Sequence, residues 1–449
     1  MIGDPPLRPR QDDARRAFLF LQGPLSPLYA RIADRLEAEG HAVHRINLNV
    51  GDALHWRRGG AVLYRGRLTH WPDFVGRFLR ERRITDLVLH GDQRPYHQAA
   101  IGQAKDAGIR VLVTELGYLR PDWMTLERDA TGSGSHFPRD PDVIRALAGD
   151  LTEPDLNRLY PAHFSWVAVP DVVYNMAQTI LWPLYPHYRR HTVYYPPLEY
   201  AAWIWRLLTA RRRDGQASRA AGRMISRATS VFVVPLQLEG DFQIRAHSGF
   251  AGQSGAIERL VASFARCAPA ESTLLFKSHP LDNGLEGWSR VIARLAKEHD
   301  VSPRVAFLDG GTLEPLYARA AGVVTINSTA GLEAVMAGLP VKTLAPTIYD
   351  VPGLTFQGPL DRFWHEASRP ETGLARAFIK ALAALTQVRG TIYSAQGLEA
   401  AVANMAERIL AMGQDASPVP TTSARFSPVS QGSAAATRQL HGTAAQLRA

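Results

Sequence analysis

Apolar residues along the chain come in short runs that end in polar, glycine-bearing loops, and each loop leads into a stretch of helical spacing. The run 17–21 stops at Gln22-Gly23-Pro24. The spacing over 28–39 predicts a helix stopped by Gly40, and 41–47 reads as the next strand. The unit recurs as a strand over 86–89, a helix over 97–107 closed by Gly108, and a strand over 109–114. Strand and helix in alternation predict a parallel sheet covered on both faces. From 138 to 227 the pattern changes to a helical, aromatic-rich, proline-interrupted segment without clear strands. A second alternating series follows. It has strands over 230–236, 272–276, 304–308, 322–326 and 341–344, with helices over 255–265, 288–298, 315–320 and 330–337 between them.

The fold class expected is therefore α/β, with two Rossmann-like lobes facing a central cleft, a GT-B-like arrangement, and a helical, aromatic and arginine-rich insertion between them. The division reads as a disordered N-terminus over 1–16, a first lobe over 17–137 and the insertion over 138–228. A second lobe with closing helices follows over 229–415, and then a Ser, Thr, Ala and Pro-rich tail over 416–449 that is expected to be disordered.

Composition narrows the class. No run approaches the roughly 18 apolar residues of a membrane span, and the polar, proline-bearing start does not resemble a secretory signal, so the cytoplasm is the expected compartment. One cysteine, Cys267, excludes an internal disulfide framework and a cysteine-cluster metal site. The net charge of +9 is carried almost wholly by arginine, since only five lysines occur, and it calls for an anionic partner. Nine arginines against Glu199 and Asp214 lie between 187 and 227 among tryptophans and tyrosines, which suits the interface of an anionic bilayer. Arg211, Arg212 and Arg213 are the expected headgroup contacts. A solvated basic helix whose aromatics pack on the lobes is the competing reading. No nucleic-acid recognition module accompanies the charge, so no nucleic-acid partner is expected.

In a doubly wound sheet, function collects in the loops after the strands. The first is Gln22-Gly23, where glycine admits a close backbone approach. Asp92 and Arg94 stand in a polar loop after the strand 86–89, with helix capping by Asp92 as the structural alternative. Glu115 ends the next strand with Arg120 five positions on, a suitable general acid or, alternatively, half of a local ion pair. In the second lobe, Gln237, Glu239 and Asp241 share one loop, and paired carboxyl groups are what sugar transfer generally uses. Lys277, His279 and Pro280 end the next strand, where cationic groups can neutralise a leaving phosphate. Asn327, Ser328, Thr329 and Glu333 open a helix whose free N–H groups can face a phosphate. No Walker loop, no dinucleotide-binding glycine motif and no metal-ligand spacing is present, so no metal and no cofactor are expected.

Taken in order, these loops resemble the KpsS/LipB family of capsule polysaccharide biosynthesis proteins. The resemblance covers roughly 17–410 and rests on FLQGPLSPLYARIADRLEAEGHAVHRINLNVGD, GDQRPYH, ELGYLRPDWMTLE, VPLQLEGDFQIRAHSGF, the histidine and proline of FKSHPLD, and INSTAGLEAVMAGLPVKTLAPTIYDVPGLT. It implies a retaining β-Kdo transferase that uses CMP-Kdo as donor substrate and a phosphatidylglycerol-type lipid as acceptor. The transfer would start the linker that carries capsule polysaccharide to ABC export. It further implies a place on the inner face of the inner membrane beside other capsule assembly and export proteins. Residue by residue, it implies Asp241 as nucleophile, Glu115 as general acid/base, and His279, Ser328 and Thr329 as holders of the CMP phosphate. Glu239 is the fallback nucleophile. Two other readings stand beside it: a non-catalytic capsule export or assembly factor, and a glycosyltransferase with a different sugar-nucleotide donor.

Overall fold

The computed structural model describes residues 15–190 and 192–412, and the side chains of 243, 246 and 247 fall outside that description. The expected tail over 416–449, and all but the last two residues of the expected N-terminal segment, lie outside the described residues.

Two sheets are built. The first contains β1 (Ala17–Phe20), β2 (Ala42–Asn47), β3 (Ala61–Leu63), β4 (Asp86–His90), β5 (Arg110–Leu116) and β6 (Trp123–Arg128). The second contains β7 (Ser230–Pro235), β8 (Ser272–Lys277), β9 (Val305–Leu308), β10 (Gly322–Thr325) and β11 (Val341–Thr343), and a late strand, β12 (Gln387–Arg389), returns to the first. The orders are β12-β6-β5-β4-β1-β2-β3 and β11-β10-β7-β8-β9. All pairings within the second sheet are parallel, as are those from β3 through β5 in the first, whereas β6 runs antiparallel to both β5 and β12. The chain thus has the two-lobed α/β architecture that its alternation predicts.

Period-two alternation distributes the cores. Phe18 and Phe20 of β1 join Val88 and Leu112 on one face, under the helices Leu28–Ala38 and Ala395–Ala411. Leu19 and Leu21 join Leu87, Leu89, Val111 and Val113 on the other, under Trp71–Glu81 and Pro95–Asp106. The second sheet repeats this plan, with Val231, Val233 and Leu275 on one face and Phe232, Val234 and Phe276 on the other. Strands buried on both faces leave only their ends for polar chemistry.

Several features depart from the reading of the sequence, among them β3, β6 and β12, none of which was read as a strand. The chain from 387 onward belongs to the first lobe rather than to a second lobe running to 415, because β12 pairs with β6 and the helix Ala395–Ala411 buries Leu398, Val402 and Met405 against the first sheet. The return braces the loop after β5, since the Gln387 side-chain oxygen accepts the Tyr118 N–H at 2.9 Å and the Leu119 N–H at 3.4 Å. Between β6 and β7 in the chain come the helices Pro141–Ala148, Phe164–Ile180 and Pro196–Ile225, of which the first and last pack Ile144, Ala217 and Ala221 into the core of the second lobe.

Candidate functional site

β7 is the middle strand of the second sheet, and the loop at its carboxyl end carries a polar arrangement tied to the loop after β10. Gln237 is buried and holds two elements together. Its Nε2 donates to Asp241 Oδ2 and to Asn327 Oδ1, both at 3.1 Å, and its Oε1 accepts the Asn327 N–H at 3.3 Å. Its own N–H goes to Gln253 Oε1 at 2.7 Å. The Asp241 carboxylate is therefore aimed by an amide that is itself aimed by the loop after β10. Glu239, two residues before Asp241, does something else. Its Oε2 accepts the Gln253 N–H at 3.0 Å, at the first residue of the helix Gln253–Cys267. A carboxylate there offsets the positive helix terminus, so Glu239 has a structural use separate from the Gln237–Asp241 pair.

β8 ends in Lys277 and His279. The Lys277 ammonium is buried and donates to the Ser278 carbonyl at 2.8 Å. His279 Nδ1 accepts the Leu281 N–H at 3.0 Å, which leaves the proton of the neutral ring on Nε2. Burial, and after it the cations Arg120 and Lys277, hold the His279 ring down to about 3. This residue is thus a neutral N–H donor rather than the cation that its type suggests. Pro280 follows it, half-buried. After β10, Ser328 caps the helix Thr329–Met336 by accepting the Ala330 N–H at 3.2 Å, with Thr329 as the first helical residue and Glu333 exposed one turn on.

The first lobe presents Glu115 near the end of β5. Its carboxyl oxygen lies 3.6 Å from His90 Nε2, and His90 Nδ1 is engaged with the Thr114 hydroxyl at 3.0 Å. Gly91, at φ +72°, makes room for this arrangement: a Cβ there would sit 3.2 Å from Glu115 Oε2. Burial raises the Glu115 carboxyl above its ordinary range, with a backbone hydrogen bond, Arg94 and Arg120 pulling it partly back. Burial also lowers His90 to about 3, with Arg94 adding to the effect, so His90 is neutral. Arg120 is felt both by Glu115 of the first lobe and by His279 of the second, which joins the two strand-end clusters in one electrostatic field.

Other residues singled out from the sequence face elsewhere. Gln22 is buried and its Nε2 points at Asp52 (3.2 Å), Tyr174 (3.1 Å) and Tyr188 (3.1 Å), so it fastens the insertion to the first lobe. Gly23 lies against the Tyr29 ring, where a Cβ would sit 2.8 Å away. Asp92 does not cap the following helix, whose N-cap position is Arg94. It is buried, accepts from Gln93 Nε2 at 3.1 Å, and offers its carbonyl to Gln98.

Sequence reasoning missed the buried set Arg45, Asn49 and Asp52 behind Gln22, although polar residues at the end of an otherwise apolar strand were a signal. Asn49 and Asp52 form a capping box that opens the helix Val50–His55. Tyr174 of the insertion reaches into it, donating to Asp52 Oδ1 at 3.1 Å and accepting from Asn49 Nδ2 at 3.0 Å.

Comparisons with known proteins find a family for the chain. Residues 85–393 match the family model described as capsule polysaccharide biosynthesis protein. The chain is 31% identical over 385 residues to the capsule polysaccharide export protein KpsS of Escherichia coli, covering 84% of this chain and 97% of that one. It is also 31% identical over 388 residues to the capsule polysaccharide modification protein LipB of Neisseria meningitidis, covering 84% of this chain and 91% of the relative. Among solved structures, a β-Kdo 2,7 transferase of Thermosulfurimonas dismutans, KpsC, aligns over 88% of this chain and 100% of that one at 13% identity, with a TM-score of 0.41. With its family model spanning well over half the sequence and full-length relatives above 30% identity, this chain belongs to the capsule polysaccharide biosynthesis protein family.

Proposed function

We propose that the chain is a retaining β-Kdo transferase, taking Kdo from CMP-Kdo to a phosphatidylglycerol-type lipid at the inner face of the inner membrane. The observation that carries this reading is the aimed carboxylate. Asp241 is held by Gln237, and Gln237 by Asn327, in the loop after the middle strand of one lobe. A carboxyl group that burial pushes above its ordinary range, Glu115, stands near the strand end of the other. Two carboxyl groups with different environments divide into nucleophile and acid/base.

In the first step an Asp241 oxygen attacks the anomeric carbon of Kdo, the bond from that carbon to the phosphate oxygen breaks, and CMP departs with the electron pair. The His279 Nε2–H and the N-terminus of the helix Thr329–Met336 offer hydrogen bonds to the departing phosphate, and the nearby positive charges of Arg120 and Lys277 favour it electrostatically. In the second step Glu115 takes the proton of an acceptor hydroxyl, whose oxygen attacks the same carbon and frees Asp241. Two inversions at one carbon give net retention. The purified protein should release CMP from CMP-Kdo when a phosphatidylglycerol acceptor is supplied. Asp241→Ala should abolish release while CMP binding, followed by calorimetry, stays within a few-fold of the parent. A protein that binds CMP-Kdo and never releases CMP is a non-catalytic assembly factor, and that result overturns the proposal.

A further inference from the structure

The insertion leaves an apolar surface uncovered. Among the described residues, most of the large apolar side chains that face solvent lie between 159 and 208, and the extremes are Leu208 at 78%, Trp205 at 68%, Ile180 at 67% and Tyr195 at 62% exposed. Isolated exposed leucines are ordinary, whereas a contiguous apolar patch marks a contact surface. No helix of the described residues is long and apolar enough to cross a membrane.

The 30-residue helix Pro196–Ile225 shows how the surface is made. Steps of three, four and seven residues keep one face, so Ile204, Trp205 and Leu208 continue into Arg211, Arg212, Arg219 and Arg223 along a single stripe. All seven are exposed. The stripe is apolar through Leu208 and arginine from Arg211 onward, over a helix about 45 Å long at 1.5 Å per residue.

The opposite face is anchored. Arg206 pairs with Asp309 at 2.7 Å, Arg213 reaches the same carboxylate at 3.3 Å, Gly311 N–H donates to Asp214 at 2.8 Å, and Ala217 and Ala221 are buried. Arg213 is therefore an inward-facing brace and not a headgroup contact of the kind expected from the run 211–213. The companion helix Phe164–Ile180 adds exposed Val169, Val173 and Ile180, and is tied to the first helix by Tyr200 O–H to Asp171 at 2.9 Å.

We propose that this two-helix surface docks on an anionic lipid monolayer, with the apolar half of the stripe, Ile204 to Leu208, entering the acyl boundary and Arg211, Arg212, Arg219 and Arg223 resting on headgroup phosphates. The division of one helix face into an apolar and a cationic half matches the depth profile of a monolayer edge, where rings and aliphatic chains sit about 5–10 Å below the charged plane. A protein partner would need acids and a complementary apolar groove in the same order; a lipid surface supplies both everywhere. The surface also adjoins the loops after β8 and β9. Glu199 of this helix accepts from Asn283 at 3.2 Å, four residues after His279, and Asp309 directly follows β9. Docking by this face brings lipid headgroups to the side of the molecule where the strands of the second sheet end. The inference deepens the lipid-acceptor reading and rests on it for its purpose, but vesicle binding is measured without CMP-Kdo and so fails or succeeds by itself.

The test uses the full chain with vesicles of phosphatidylcholine alone or with phosphatidylglycerol added. The wild type should cosediment with the anionic vesicles and release as salt rises, and brominated acyl chains should quench part of its tryptophan emission. Trp205→Ser with Leu208→Ser should weaken binding at least about tenfold and remove most of the quenching. Arg211→Glu with Arg212→Glu should weaken it by a similar factor and flatten the salt dependence. Calorimetric CMP binding unchanged in both variants shows that the fold and cleft are intact. Wild type that ignores both vesicle types overturns the proposal, as does undiminished binding by both variants. A wild-type dimer that the serine variant converts to monomer, with no vesicle binding, assigns the face to a second copy and overturns it too.

Discussion

Replacing Gln237 by leucine probes the arrangement on which the site depends. The two side chains are close in volume, so the change removes hydrogen bonds with little loss of packing. Three bonds disappear: two neutral ones to Asn327 and one to the Asp241 carboxylate. At about 1 kcal/mol for each neutral bond and about 2 kcal/mol for the charged one, the loss is about 4 kcal/mol, a large share of the roughly 5–15 kcal/mol that holds a domain together. The second lobe should melt on the order of 10 °C lower. A displacement of Asp241 by about 1 Å should also cost about 10²-fold in turnover measured below the melting range. Differential scanning fluorimetry and CMP release measure the two effects separately. Gln237→Glu is the informative companion. It keeps an acceptor for the Asn327 N–H but sets a second carboxylate against Asp241, so its deficit should shrink as pH falls and the new group protonates. A leucine variant that melts within about 2 °C of the parent and turns over normally would refute the idea that Gln237 aims Asp241.

Further expectations follow from the buried titrating groups. Glu127 accepts from Tyr118 and Ser135, and burial raises it from 4.5 to about 7. A raised carboxyl stabilises the folded form below its unfolded value and loses that contribution as pH rises through about 7, here a swing of about 3 kcal/mol. The melting temperature of Glu127→Gln should therefore gain on the wild type between pH 5 and pH 8, and parallel curves would contradict the assignment. His279, held at about 3, should show no titration between pH 5 and 8 and the Nε2–H tautomer in spectra of ring-labelled protein, with His279→Gln identifying the resonance; a midpoint near 6.5 would make it the cation that its type suggests. Glu115→Gln should lower transfer by about 10² or more. In the wild type, activity should fall on the acid side as the base form of Glu115 is lost at a pH above the ordinary carboxylate range, and a flat profile would remove Glu115 from proton transfer.

The parallel strands other than β3 were legible because each is a short apolar run ending in a polar loop, and burial on both faces makes such runs continuous; β3, three residues at the sheet edge and none of them buried, was not. β6 was not legible. Trp123-Met124-Thr125-Leu126-Glu127-Arg128 places Thr125 and Glu127 inside the protein, where Gln387 and Ser135 meet them, and those partners lie far away in sequence or in an irregular turn. The return of β12 to the first sheet was hidden for the same reason, since three residues of strand carry almost no periodic signal. The loop 237–241 could be found by composition, but the separate uses of its two acids could not: Glu239 answers a helix terminus that begins at Gln253. Arginine count between 187 and 227 pointed to an anionic surface, yet only the fold separates the inward Arg206 and Arg213 from the outward Arg211 and Arg212. Charge has no periodic signature of its own when both faces of a helix carry it.

The most direct test of the central reading is the lipid product itself. Purified protein incubated with CMP-Kdo and phosphatidylglycerol should yield a lipid heavier by one Kdo residue in mass spectrometry, with the β configuration at the new linkage by nuclear magnetic resonance. An α linkage would contradict the double displacement through Asp241. Complete absence of a Kdo-bearing lipid, with CMP-Kdo recovered intact, would contradict the transferase reading altogether.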